Sequence, residues 1–333
     1  MFACQEDPID AYLVNEDAAV LAFVAGIEGP SYRPLGAAMT VLGKHSWVGT
    51  LSSGCIEADI ALHALEARQT GKPRLVRYGR GSPYIDIQLP CGGGLEILLL
   101  PHPDRHVLTT LQDHRNVRTP VALTIDVVSG EMALDPAAST ERTDGTLSIQ
   151  FEPELRFLIF GKGPEAITFA GLVQSAGYPN LLLSPDEETL NAGRSNACPT
   201  RHLTKPGFPD DIDVDYRTAI VLFFHDHDWE PPILVKTLHT DAFYIGAQGS
   251  RVAAATRRED LLALGTAPED LDRLSGPVGL IPSARDARTL AVSVLSEVLV
   301  VAGEEAGDRA HHPGLRLRPD GSHGRTQSQH ARQ

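Results

Sequence analysis

Short strand-like runs, turn-rich segments and one helical stretch make up the first hundred residues. Residues 18–25 and 39–42 read as strands, joined by Glu28-Gly29-Pro30-Ser31-Tyr32-Arg33-Pro34-Leu35-Gly36, whose glycines and prolines demand turns. A third run, 47–51, leads into Ser52-Ser53-Gly54-Cys55. Residues 56–69 then place Ile60, Ala61, Ala64, Leu65 and Arg68 at helical spacing, with Gly71 as terminator. Residues 84–89 alternate as a strand does, Pro90-Cys91-Gly92-Gly93-Gly94 breaks the run, and a further strand is predicted over 95–100. The next stretch, to Glu154, carries a helix and a β-meander, with strands at 121–128 and 147–151 and turns at Ser129-Gly130 and Asp144-Gly145.

From Leu155 the rhythm changes. Apolar runs at 155–160, 181–183, 219–224 and 242–246 alternate with helical spacing around Ile167–Val173, 232–239, 252–264 and 285–301. Strands without a polar face, separated by helices, predict a parallel sheet covered on both sides. The expected class is therefore α/β: an N-terminal α/β domain over 1–103, then a doubly wound, Rossmann-like domain over 154–302. An α/β segment over 104–153 bridges the two or completes the first. Residues 303–333 hold Gly, Arg, His, Pro and Ser with almost no large apolar side chain, so a disordered tail is expected.

Charge narrows the partners. The 333 residues carry 43 acidic against 29 basic side chains, a formal net charge of −14, which repels nucleic acid and anionic membranes. The acidic first residues lack the pattern of a signal peptide, and no apolar run is long enough to span a bilayer, so a cytoplasmic location with reduced thiols is expected. None of the four cysteines, Cys4, Cys55, Cys91 and Cys198, forms a C-x-x-C pair, which argues against a zinc ribbon.

Four constellations could carry chemistry. Gly161-Lys162-Gly163 follows a strand and opens a helix, where backbone N–H groups can meet a phosphate. Ala166 replaces the third glycine of a dinucleotide fingerprint, however. Ser184-Pro185 stands where the ribose-binding acid belongs, with Asp186 two positions late, so tight strand–helix packing accounts for the glycines as well. His225-Asp226-His227-Asp228 follows the apolar run 219–224, at the strand end where ligands collect in parallel sheets; it suits a metal or a polar, site-lining loop. Gly246-Ala247-Gln248-Gly249-Ser250-Arg251 can cradle an anion or simply start a helix capped by Ser250. Cys55 and Cys91 sit among Gly and Ser, accessible to a soft metal centre, or else are packed structural thiols.

These motifs, in order, resemble those of the XdhC/CoxI family. Gly29-Pro30-Ser31-x-Arg33-Pro34-x-Gly36-Ala37 is similar to its Gly-Ser-Ser-Pro-Arg-x-Pro-Gly-Ala turn. Gly49-x-x-Ser52-Ser53-Gly54-Cys55-Ile56-Glu57 is similar to its Gly-Ser-x-Ser-Gly-Gly-Cys-x-Glu, and Cys91-Gly92-Gly93 with Glu96 to its Cys-Gly-Gly-x-x-Glu. In the second half His225-Asp226-His227, Tyr244-Ile245-Gly246-x-x-Gly249-Ser250-Arg251, Pro277-x-Gly279-Leu280 and Ala291-Val292-Ser293 with Glu297 fall in the family order. Three segments depart. Pro164 stands for a His, Gly279-Leu280-Ile281-Pro282-Ser283-Ala284 for Gly-Leu-Asp-Ile-Gly-Ala, and Asp286-Ala287-Arg288-Thr289 for Thr-Pro-Glu-Glu.

The resemblance implies a non-catalytic accessory protein. It would carry molybdenum cofactor (molybdopterin) as cargo, shield it during sulfuration and deliver it to the apo-form of a xanthine dehydrogenase-type hydroxylase. A cysteine desulfurase is the second partner expected, and a homodimer the expected assembly. The cofactor-binding residues so implied are Ser31, Arg33, Ser52, Ser53, Gly54, Cys55, Glu57, Cys91, Gly92 and Gly93, with Cys55 and Cys91 as molybdenum contacts. In the second domain they are Gly161, Gly163, His225, Asp226, His227, Gly246, Gly249, Ser250 and Arg251. The competing readings are an NAD(P)-dependent oxidoreductase using the Gly161/Gly163 turn, against which the missing acid speaks, and a docking protein that holds no cofactor.

Overall fold

The run Val20–Ala25 is apolar at every position because its strand is covered on both faces. Val20, Ala22 and Val24 pack to one side, Leu21, Phe23 and Ala25 to the other, all buried. The computed structural model describes residues 7–15, 19–52, 54–82, Leu89, 92–224 and 228–311, with 305–311 by backbone alone. It divides into two units, Met1–Pro153 and Glu154–Gln333.

The first unit begins with helix α1 (Pro8–Val14), capped by Asp7, whose carboxylate accepts from the N–H of Ile9 at 2.8 Å. Strands β1 (Val20–Glu28), β2 (Ala38–Gly43) and β3 (Ser46–Gly49) lead to helix α2 (Glu57–Thr70), and β4 (Arg74–Gly79) and β5 (Gly94–Leu100) complete an antiparallel sheet in the order β3-β2-β1-β5-β4. One face is covered by α2 through Ile60, Ala61, Ala64 and Ala67. Gly71 ends that helix in the left-handed conformation.

The other face is covered by α3 (Arg105–Asn116) and a second antiparallel sheet, β6 (Val121–Asp126), β7 (Met132–Asp135), β8 (Glu141–Arg142) and β9 (Thr146–Phe151), in the order β7-β6-β9-β8. Leu108, Leu111, Leu123, Ile125 and Leu147 close over Leu21, Phe23, Leu98 and Leu100. Residues 104–153 thus form the second layer of the first unit rather than a bridge, because the odd-numbered residues of β1 would otherwise face water at about 1.5–3 kcal/mol for each large side chain. Strand β4 has no counterpart among the expected elements. It is an edge strand in which only Val76 and Tyr78 turn inward, too short a pattern to read. The strand expected over 84–89 falls outside the described residues except for Leu89.

In the second unit β10 (Arg156–Gly161), α4 (Pro164–Ser175), β11 (Asn180–Ser184), α5 (Glu187–Ser195), β12 (Thr200–His202), β13 (Thr218–Phe223), α6 (Glu230–Thr237), β14 (Tyr244–Ala247), α7 (Arg251–Ala263), β15 (Leu274–Ser275) and α8 (Ala287–His311) succeed one another. The strands form one parallel sheet, β12-β11-β10-β13-β14-β15. Counted within the unit this is 3-2-1-4-5-6, the doubly wound dinucleotide-fold order, with its reversal between β10 and β13. Phe157, Ile159, Val221 and Phe223 pack under α4 and α8, while Leu158, Phe160, Ile220 and Leu222 pack under α6 and α7.

Helix α5 and strand β12 are not foreshadowed by periodicity because one is largely polar, with Leu190 its one large apolar buried side chain, and the other has three residues. Residues 303–311, expected to belong to a disordered tail, are helical, and residues 312–333 lie outside the described residues. Ala302 is the last buried side chain among the described ones, and α8 continues to His311 through Glu304, Glu305 and Ala306, residue types of high helix propensity that extend an existing helix. Among the described residues no helix is long and apolar enough to cross a membrane.

The Pro34–Gly36 turn rests on the second sheet. Gly36 has φ +83°, and a methyl group there would stand 2.6 Å from Ile149 Cγ2. Gly36→Ala is therefore expected to cost about 2–3 kcal/mol, from left-handed strain plus overpacking, measured by urea unfolding.

Candidate functional site

Strands β1 and β3 run toward the same end of the first sheet, β5 departs from it, and α2 starts there. Antiparallel pairing therefore sends three loops out toward that end: the turn after β1 with Ser31 and Arg33, the loop after β3 with Ser52, Gly54 and Cys55, and the β4–β5 connection with Gly92 and Gly93. The first closes on itself, the Ser31 hydroxyl donating to the Arg33 carbonyl (2.7 Å) and accepting from the Arg33 N–H (3.2 Å). Gly93 lies against it so closely that a Cβ would stand 2.1 Å from the Pro30 carbonyl oxygen. No other residue fits there. The Arg33 side chain is half-buried, and among the described residues its guanidinium has no hydrogen bond or ion pair.

One carboxylate shapes the loop that carries Cys55. Glu57, at the first turn of α2, is buried to 1% exposure. Its Oε1 accepts from Thr50 Oγ1 and from the N–H groups of Leu51 (3.0 Å) and Ser52 (2.8 Å), and its Oε2 from Ser52 Oγ (2.8 Å) and the Ile56 N–H (3.2 Å). Ser52 Oγ accepts in turn from the Cys55 N–H at 3.1 Å. Burial works to raise the Glu57 pKa, but the bonds from Thr50 and Ser52 outweigh it and hold the group at about 2. Glu57, expected as a cofactor contact, thus commits both oxygens to the loop, and Cys55 is left exposed. Cys198 is buried, which pushes its thiol pKa up, and serves packing. Ser53 and Cys91, and His225, Asp226 and His227 in the second unit, lie outside the described residues.

At the carboxyl edge of the second sheet, β10, β13 and β14 end side by side, Gly161 pairing Phe223 and Leu222 pairing Ala247. This edge gathers Gly161, Gly163, Gly246, Gly249, Ser250 and Arg251. Gly161 is required by packing, since a Cβ would stand 2.6 Å from the Phe223 carbonyl oxygen; Gly246 lies comparably close to Val278. Gly163 (φ +85°) turns its N–H not outward but to Thr189 Oγ1 at 2.9 Å. That hydroxyl donates to Asp186 Oδ2 at 2.6 Å, and Asp186 caps α5 by accepting the Thr189 N–H at 2.7 Å. The two Thr189 bonds lower the Asp186 pKa. The amide that would meet a pyrophosphate and the one acid near the ribose position are both engaged internally. Thr189 closes this turn without being marked by the motifs, although Asp-x-x-Thr at a helix start signals a cap.

Two further groups look like surface charges in the sequence. Arg257 and Glu230 form a buried ion pair (2.9 Å), and Arg257 also donates to the Gln248 carbonyl, tying the start of α6 to the loop after β14. The available signal is positional: Arg257 shares a helical face with the buried Leu261, one turn on. Ser250 Oγ accepts the Ala253 N–H (3.1 Å) as cap of α7, and Arg251 is exposed. Glu297 on α8 accepts from Tyr244 Oη (2.9 Å) and from the Gly279 N–H, while Ser293 Oγ accepts the Ile281 N–H at 2.6 Å. Burial and the Glu297 charge raise the Tyr244 pKa, keeping it a neutral donor. Ser283 stands where the family pattern has Gly, and its φ of +59° keeps a glycine-like backbone. Among the described residues no three His, Cys, Asp or Glu side chains are grouped to hold a metal ion.

An antiparallel unit with three motif loops at one edge, joined to a doubly wound unit, defines a class with known relatives. The sequence profile of the XdhC and CoxI family matches residues 13–79, and that of the XdhC Rossmann domain matches residues 157–298. The molybdenum cofactor insertion chaperone PaoD of Escherichia coli (strain K12) is 34% identical over 304 residues, spanning 90% of this chain and 89% of its own. A probable xanthine dehydrogenase subunit of Bacillus subtilis (strain 168) is 25% identical over 327 residues, 87% of this chain and 95% of its own. The fold is shared with a xanthine dehydrogenase crystal structure from Bacillus halodurans, at TM-score 0.73 and 22% identity over 90% of this chain and 96% of that one. This chain belongs to the XdhC and CoxI family.

Two outcomes are expected. Glu57→Gln removes the charge from a buried acceptor and should cost about 2–3 kcal/mol at neutral pH. Because the native pKa is depressed to about 2, the wild-type advantage is complete above the usual carboxylate range and disappears as pH falls toward 2. Urea unfolding of both proteins across that range measures it. Calorimetric titration with NAD or NADP should give no micromolar binding, since the Gly163 amide is already bonded; a micromolar constant would restore the oxidoreductase reading.

Proposed function

We propose that this protein carries molybdenum cofactor and inserts it into a xanthine dehydrogenase-type hydroxylase, acting as a chaperone rather than a catalyst. The observation that carries the reading is the departure of three motif loops from the same end of the first sheet, with a half-buried Arg33 left without a partner among the described residues and an exposed Cys55 on a loop held by Glu57. A guanidinium fits the pterin phosphate bidentately, and soft thiolates fit molybdenum or its sulfur ligand. The similarity to the Escherichia coli insertion chaperone along nearly the whole chain supports the same reading.

In this proposal Arg33 holds the phosphate, with backbone N–H groups of Ser53, Gly54 and Gly93 around it, Ser31 keeping the turn closed, and Ser52 and Gly92 shaping the loops through N–H groups already bonded to Glu57 and Leu89. Cys55 and Cys91 face the metal end. Glu57 positions the loop without touching the cargo. The carboxyl edge of the second unit, with Arg251 and His225-Asp226-His227, serves the delivery step. An apo-hydroxylase is the receiving partner and a cysteine desulfurase the source of sulfur.

The test is pterin fluorescence after oxidation of protein purified anaerobically from a host that makes the cofactor. Wild type should release pterin, and its absence would overturn the carrier reading. In the Cys55→Ser, Cys91→Ser double variant the pterin should fall to background while Cys198→Ser retains it. A folded double variant with undiminished pterin would remove the thiols from the site.

A further inference from the structure

The segment between β15 and α8 presents apolar side chains to solvent from a backbone that is firmly held. Leu280 is 55% exposed and Ile281 47%, and Val252 at the start of α7 is 76% exposed. The backbone beneath the two loop residues is tied to α8 at three points. The Gly279 N–H donates to Glu297, the Leu280 N–H to the Ser293 carbonyl (3.3 Å), and the Ile281 N–H to Ser293 Oγ (2.6 Å). Such anchoring fixes the exposed side chains before any contact, which reduces the ordering cost of an association.

Charge around this tip runs against the rest of the chain. In a protein of net charge −14, residues 248–258 and 276–292 contain Arg251, Arg257, Arg258, Arg285 and Arg288 against one acid, Asp286. Arg257 is held by Glu230, and Arg258 lies 3.3 Å from Asp272. Asp286 caps α8, accepting the N–H groups of Arg288 (3.1 Å) and Thr289 (2.9 Å). Arg251, Arg285 and Arg288 remain exposed, and among the described residues the guanidinium groups of Arg251 and Arg285 have no hydrogen bond or ion pair. Strands β14 and β15 are neighbours, so both arginine-bearing segments leave the same carboxyl edge, where doubly wound sheets meet their ligands.

We propose that Leu280 and Ile281, flanked by Arg251, Arg285 and Arg288, form the docking surface for a folded protein whose complementary face is an apolar recess bordered by carboxylates, namely the hydroxylase that receives the cofactor. The identity of that partner rests on the proposed function. An apolar centre with an arginine border is the anatomy of a specific protein interface. Local complementarity suffices for it, because charges more than a Debye length away, about 8 Å in physiological salt, are largely screened. An anionic bilayer fits less well, since it is an extended polyanion facing the whole −14 field and the tip has no aromatic side chain to insert.

The test uses the full chain and the apo-form of the xanthine dehydrogenase-type hydroxylase encoded in the same genome, with affinity read by biolayer interferometry. Leu280→Asp, Ile281→Asp should weaken binding by about tenfold or more with melting temperature and pterin content unchanged. Arg285→Glu, Arg288→Glu should slow association and flatten its salt dependence. If the aspartate variant does not fold, the exposed arginine pair decides alone. Wild-type affinity in both variants would overturn the proposal. So would loss of self-association in sedimentation, marking a face between copies of this chain, or loss of binding to phosphatidylserine vesicles, marking a lipid surface. A wild type that binds the hydroxylase but holds no pterin would sink the carrier reading and leave this surface standing; one that holds pterin but does not bind the hydroxylase would do the reverse.

Discussion

The loop between β3 and α2, which carries Cys55, depends on a buried carboxylate. Glu57 gathers five donors from seven residues of chain, and each bond removes a degree of freedom from the loop between β3 and α2. A buried charge is tolerable only when it is fully hydrogen-bonded, and here the donors are the amides and hydroxyls that would otherwise go unpaired at the edge of a core. The result is a loop tied to its own helix through one acid, with an exposed sulfur at Cys55.

A related arrangement closes the second unit's glycine turn. Asp186, Thr189 and Gly163 form a relay in which a helix cap also satisfies the amide that dinucleotide folds normally leave open. Arg257 does comparable work at the next loop, joining Glu230 and Gln248. The order of the strands is retained, but the amide at the head of the fingerprint is occupied from within. Strand order alone therefore does not carry a ligand preference, which is decided by the local site.

Most of the architecture is legible from periodicity. Unbroken apolar runs such as 155–160 and 219–224 lie in a sheet covered on both sides, and glycines such as Gly71 mark element ends through backbone freedom alone. Strand β4, helix α5 and strand β12 are not legible, because edge and short elements bury too few side chains to impose a pattern. At the candidate site, motif positions such as Ser52, Cys55 and Gly93 can be singled out, yet the sequence does not assign their roles. Whether Glu57 touches a ligand or its own loop depends on where Thr50 and Ser52 point, and whether Gly163 is open depends on Thr189, 26 residues away in sequence. Arg257 and Glu230 carry no compositional mark distinguishing a buried pair from two solvated charges.

The pairing of β1 with β5 has a consequence for how the protein is made. Val20–Glu28 leaves the ribosome long before its partner Gly94–Leu100, and a central strand that is apolar almost throughout must wait for about seventy residues of synthesis before its ladder can close. Its other flank waits longer still, for the layer formed by residues 104–153. During that interval the nascent chain exposes a strand well suited to unwanted pairing. The Gly93 backbone reaches the Pro30 turn only when β5 arrives, so the turn that carries Arg33 takes shape late. Ser31 and Arg33 are thus among the first residues made and among the last of the sheet to be fixed in place.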